Sequence, residues 1–213
     1  MSSARPLAGA VDLVVPDDMF DLLAPEDDAA ARERIADLVA RTFPRMDEAA
    51  RGSMTDALMS WRAMMRAQGV VYHGLTTVPA EQSPTAQAVH WHVLAGVVDV
   101  PAHDVVDVAT VVSRHLGQQV SEERSYVERF ETTMGWGVGL ITEVDLLQQG
   151  ADTPGHVVGL TAALSAPHGD TRGLLVVGLC VDLQSHLQMS AVIAAIAAHS
   201  VVRAEDPVPV ADA

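Results

Sequence analysis

His90, Trp91 and His92 are the residues whose types and spacing come nearest to doing chemistry. In a strand, residues i and i+2 point to the same face, so the two imidazoles of such a triplet meet on one side. His73, on the preceding expected strand, supplies a third candidate. Three imidazoles with an open fourth position form a catalytic zinc site, and iron accepts the same donors. His90, His92 and His73 are therefore the candidate metal ligands. The bland alternative is a histidine pair on the polar face of an edge strand. His-x-His alternation arises easily by chance, and no carboxylate stands at a ligand spacing beside it.

Gly135, Gly137 and Gly139 alternate in Gly135-Trp-Gly-Val-Gly139. A dinucleotide fingerprint needs its glycines in a turn that opens a helix. Here the continuation Leu140-Ile-Thr-Glu-Val144 reads as a strand. The alternation leaves one strand face bare, so something must sit close against it: a helix, an aromatic ring, a ligand or a partner. Internal packing is the simpler reading, and a ligand face is the alternative.

The remaining candidates are weaker. Pro167-His-Gly-Asp-Thr-Arg-Gly173 holds a histidine, an acid and an arginine, but its proline and glycines demand a hairpin loop. There is no Gly-x-Ser-x-Gly elbow, and Ser185-His186 opens a helix rather than following a sharp turn. Glu122, Glu123, Glu128 and Glu131 read as solvated charges, with no apolar pocket evident to separate their pKa values. The single cysteine, Cys180, lies in the apolar run 174–181 and excludes an internal disulfide. With no basic neighbour in sequence, it reads as a packed, inert thiol. No motif implies a cofactor, and no catalytic residues are assigned.

Composition bounds the rest. The 213 residues favour one domain. Apolar residues make up 49% and aromatics only 4%, so the core must rest on Val, Leu, Ala and Met. Five of nine methionines fall between Met46 and Met65, where they read as core filler rather than as an adaptable binding surface. Net charge is −15, from 28 acids against 13 bases, and every base is arginine. Such a field repels phosphate, which argues against nucleic acid and anionic membrane as partners. The absence of lysine removes Schiff-base and P-loop chemistry. No apolar segment approaches the roughly 20 residues that span a bilayer, and the start of the chain does not read as a secretory signal. The expectation is a soluble, cytoplasmic protein.

The elements that must position these residues follow from periodicity. A short strand is expected over 11–15, followed by an acidic loop. Pro25 is expected to open a helix with Glu26, Asp27 and Asp28 in its first turn, ending at Pro44. A second helix over 47–68 carries the stripe Met54, Ala57, Leu58, Trp61, Met64 and Met65 and stops at Gly69. Strands follow over 70–78 and 88–100, across a polar loop at 79–87. A helix is expected over 101–116. Four strands come next, over 126–133, 137–144, 157–165 and 174–183. Turns at 150–155 and 167–173 make the last three successive antiparallel hairpins. A last helix spans 185–199. The order predicts an α+β fold, an antiparallel sheet of six to seven strands with helices packed on it. A single domain is expected over 11–203, with flexible ends at 1–10 and 204–213.

The run Gln68-Gly-Val-Val-Tyr-His-Gly74, the glycine-punctuated Met134-Gly-Trp-Gly-Val-Gly-Leu140 and Leu174-Leu-Val-Val-Gly-Leu-Cys-Val-Asp-Leu183 lead into a helix that ends Ile196-Ala-Ala-His-Ser-Val-Val-Arg203. This layout, over 11–203, resembles a family of actinobacterial proteins with a Mog1/PsbP-like fold, some found near type VII secretion genes. The resemblance implies an accessory or adaptor role without catalysis, exercised on a protein partner. It carries over no catalytic residues. Three functional readings stand at this point: a non-enzymatic adaptor, a metal-binding protein or metal-dependent enzyme using His90 and His92, and a small-ligand binding domain using the glycine face.

Overall fold

Where apolar residues recur every third or fourth position the chain coils, and where they alternate it extends. The computed structural model describes residues 4–7, 11–78, 89–100, 125–146, 156–169 and 171–203. The loop expected over 79–87, the helix over 101–116, the turn over 150–155 and the tail over 204–213 lie outside them. Among the described residues the elements are β1 (Ala4–Leu7), β2 (Val11–Val14), β3 (Phe20–Asp21), α1 (Asp28–Thr42), α2 (Glu48–Ala67), β4 (Val70–Val78), β5 (Val89–Asp99), β6 (Tyr126–Thr132), β7 (Gly135–Leu146), β8 (His156–Ala166), β9 (Arg172–Cys180), α3 (His186–His199) and β10 (Val201–Val202).

The main sheet has seven strands in the order β3-β4-β5-β9-β8-β7-β6. Every pairing in it is antiparallel, which makes the fold α+β, as expected. A second sheet, β1-β2-β10, joins the two ends of the chain. Residues 4–7, expected to be part of a flexible start, pair with β2 from Ala4↔Val14 to Leu7↔Val11. Among the described residues no helix is long and apolar enough to cross a membrane.

Strand alternation divides the core between the two faces of the main sheet. On one face, Val93, Ala95, Leu174 and Val176 meet Met189, Ile193, Ile196 and Ala197 of α3, with Val11 and Leu13 of the small sheet completing the layer. Gly178 permits this approach, because a Cβ there would lie 2.8 Å from Ile193 Cγ1. On the other face, Leu75 packs with Leu22, Ile35, Val39 and Leu58 beneath α1 and α2. Further along that face, Val138, Leu140, Leu160, Leu164 and Val177 form the third cluster.

Both N-terminal helices begin at an aspartate. Asp27 accepts from Ala30 N at 2.8 Å, and Asp47 accepts from Ala50 N at 2.8 Å. Each carboxylate satisfies a backbone donor that has no partner within its helix and favours the positive end of the dipole. Pro25 therefore does not open α1, contrary to expectation. It lies upstream, where its carbonyl is bound by the side chain of Arg62.

Arg62 explains a second departure. The expected α2 stripe ran through Ala57 and Met64, but Ala57 is exposed and Met64 is 47% exposed. The buried line is Thr55, Arg62 and Met65. The Arg62 guanidinium donates to the carbonyls of Leu22, Leu23, Pro25 and Glu26 and to Asp28 Oδ1. Four carbonyls and one carboxylate let a cation lie where hydropathy calls for an apolar residue. Arg62→Met should lower stability by about 2–4 kcal/mol, because the buried carbonyls of Leu22 and Leu23 are left without their donor. Urea unfolding checks this; a loss under about 1 kcal/mol would remove Arg62 as the clamp.

Candidate functional site

The register of β4 against β5 decides which histidines meet. His73 stands opposite Leu94, Leu75 opposite His92, and Thr77 opposite His90. His73 and His92 are thus diagonal neighbours on one face, within reach of long side chains. His73 Nε2 and His92 Nδ1 are 3.2 Å apart. His90, one step further along the same face, turns to Thr77, with Nδ1 3.4 Å from Oγ1. The helical spacing of α2 lays Trp61 over the pair. Its ring stacks on His92 at 5.2 Å between centroids and tilts against His73 at 5.6 Å.

His73 is fully buried. Burial, reinforced by the facing His92, pushes its pKa down to about 3. Burial lowers His92 as well, with His90 adding to the effect, and burial lowers His90. The geometry agrees with neutral rings. One nitrogen of the close pair must donate and the other accept, whereas two imidazolium rings would aim like charges and two N–H groups at each other. Among the described residues His73 Nδ1 and Trp61 Nε1, both buried, have no hydrogen-bond partner.

The structure therefore brings together His73 and His92 but not the full set of His90, His92 and His73. Among the described residues no group of three or more His, Cys, Asp or Glu side chains is placed to hold a metal ion. What the pair can do is limited by its burial. It offers lone pairs and N–H groups without charge, beneath an aromatic lid.

The glycine face is occupied from within the sheet. Phe130 stands opposite Gly137 across β6 and β7. A Cβ on Gly137 would lie 2.7 Å from Phe130 Cε2 and 2.7 Å from Thr132 Cγ2, and one on Gly139 would touch the same ring at 3.6 Å. Gly135 has a different role. Its φ of +143° suits the turn into β7, and His168 of the 167–173 loop sits against it. That histidine serves the turn.

A polar cluster that the sequence left unremarked lies where α3 meets β8. His186 Nε2 is 3.1 Å from Thr161 Oγ1, which is 2.7 Å from Ser190 Oγ; Ser190 donates to the His186 carbonyl at 2.8 Å. Thr161 and Ser190 can each donate or accept, so the direction of donation along this line follows the His186 tautomer. The imidazole lies on Gly159, where a Cβ would come within 2.6 Å of its Cγ. A glycine inside a strand was the available signal. Cys180 beside it is buried, and burial with Asp182 nearby pushes its thiol up to about 11. The thiol therefore stays protonated at neutral pH.

No protein-family model, curated protein or solved structure matches the chain.

Two outcomes follow from this geometry. His73 binds a proton more readily unfolded than folded, so stability is full above about pH 6.5 and is lost as pH falls toward the folded value. From roughly pH 6 to pH 4, unfolding free energy should fall more steeply in wild type than in His73→Gln, by up to about 1.4 kcal/mol per pH unit. Parallel urea-derived profiles would contradict this. Gly137→Val should cost about 1–3 kcal/mol through its clash with Phe130, and Phe130→Ala in the same chain should recover part of it. Additive effects in that double-mutant cycle would show that the two residues do not meet.

Proposed function

We propose that the protein is a non-enzymatic adaptor that binds an extended, basic segment of another protein along β6. The observation that carries this reading is the end of the main sheet. Among the described residues β6 is the last strand of the main sheet, and its side chains Tyr126 and Val127 are 60% and 55% exposed. An edge strand presents unpaired backbone donors and acceptors, and extended peptides add to such edges. Tyr126 and Val127 add apolar surface on opposite faces of the strand.

Charge selects the partner. Glu128 and Glu131 outnumber Arg129 on the strand itself, and the whole chain carries −15. That field opposes a second copy and draws a basic segment. The sequence resemblance supplies the process in this proposal: a Mog1/PsbP-like adaptor acting in the cytoplasm on a component of type VII secretion.

Replacing Tyr126 and Val127 together by Lys keeps an exposed strand exposed and puts positive charge on the edge. Capture from host lysate should give a partner bound by wild type and reduced about tenfold or more by the double variant, at unchanged melting temperature. Binding should also weaken as salt rises. Equal capture by both proteins, or none by the folded wild type, would overturn the reading.

A further inference from the structure

We infer that the chain also has a binding site for a small uncharged apolar molecule, between the C-terminal end of α2 and the β5–β9 part of the sheet. A pocket of about 440 Å³ opens there, walled by Met65, Val70, Leu94, Val98, Leu175 and Val177. This volume lies within the range of roughly 300–1,000 Å³ typical of small-molecule sites.

Gly96 forms part of the floor. Strand glycines in this protein are otherwise seats for close packing: Gly137 under Phe130, Gly159 under His186, Gly178 under Ile193. At Gly96, among the described residues, the one heavy atom within 4 Å of an added Cβ is the Gly69 carbonyl oxygen, at 3.9 Å. The β4–β5 register shifts at this level, between Val70 and Tyr72, so the strand pair is irregular beside the open floor. The missing side chain leaves room that no described neighbour takes.

The lining sets the ligand class. Among the described residues it contains no charged side chain, and Gln68 is its one polar side chain. Gln68 and Gly69 are exposed and mark the mouth, at the carbonyl end of α2. A helix C-terminus carries partial negative charge, and the chain as a whole is strongly acidic. Both features disfavour an anion. The ligand is therefore an uncharged, largely hydrocarbon molecule, with room for one hydrogen-bonding group at Gln68. This site is separate from the β6 edge and does not depend on the adaptor reading.

The probe is N-phenyl-1-naphthylamine, an uncharged aromatic whose fluorescence rises in apolar surroundings. Wild type should bind it saturably at one site. Gly96→Leu, whose side chain fills the pocket without a clash at Cβ, should weaken binding by about tenfold or more while keeping or raising the melting temperature. If that variant fails to fold, methyl NMR of wild type still decides. The Met65 methyl should shift on adding the probe, and that of Met189, on the opposite face, should not. Absence of saturable binding, full binding by folded Gly96→Leu, or shifts at Met189 without shifts at Met65 would each overturn the site.

Discussion

The N-terminal half of the molecule hangs on one buried cation. Arg62 reaches from α2 to the carbonyls of Leu22, Leu23, Pro25 and Glu26 and to Asp28. Those acceptors belong to the segment between β3 and α1, so a single side chain fixes strand, loop and helix to α2. Arg66, one turn on, donates to the Glu26 carbonyl as well. A planar guanidinium offers five donors in a fixed fork, which a lysine ammonium cannot reproduce. With α2 held in place, Trp61 lies over His92 and Met65 walls the pocket. The histidine pair and the pocket therefore inherit their geometry from an interaction that touches neither.

The opposite face is held together by the absence of side chains. Gly178 admits Ile193 and Met189, and Gly159 admits the His186 ring. An aromatic-poor core of Val, Leu and Ala gains most by close approach, because dispersion falls away steeply with even small gaps. At the sheet edge Phe130 covers Gly137, so one of the few aromatic rings goes where two bare strand positions would otherwise leave space. Gly96 is the exception that gives the pocket its floor.

Much of the fold was legible. Period-two runs gave β4 and, within two residues at most ends, β5 through β9, and Gly69 at φ +76° closes α2 where a left-handed residue is needed. The short strands were not legible. β3 and β10 are two residues each, too brief for any period, and exist only because a neighbour pairs with them. The strand over 11–15 reads like any other, yet it belongs to the small sheet, since its partners lie near the two ends of the chain. The buried face of α2 was misjudged because Arg62 scores as polar; its burial depends on carbonyls up to 40 residues away.

The histidines show where sequence reasoning reaches its limit. Alternation correctly puts His90 and His92 on one face, but it says nothing of what stands across the strand. Register supplies that. With Leu75 opposite His92, His73 falls one diagonal step away and closes to 3.2 Å, while His90 is met by a threonine. A register moved by two residues would keep every apolar residue on its face and exchange the partners. The hydrophobic pattern therefore forbids a one-residue slip but cannot choose between registers two apart. That choice rests on bulges, loops and packing. Here the irregularity between Val70 and Tyr72 and the helix clamped above by Arg62 are the features that distinguish one register from the next. The pairing of two neutral rings under Trp61 is thus a consequence of tertiary structure, and no reading of the His-x-His motif alone could reach it.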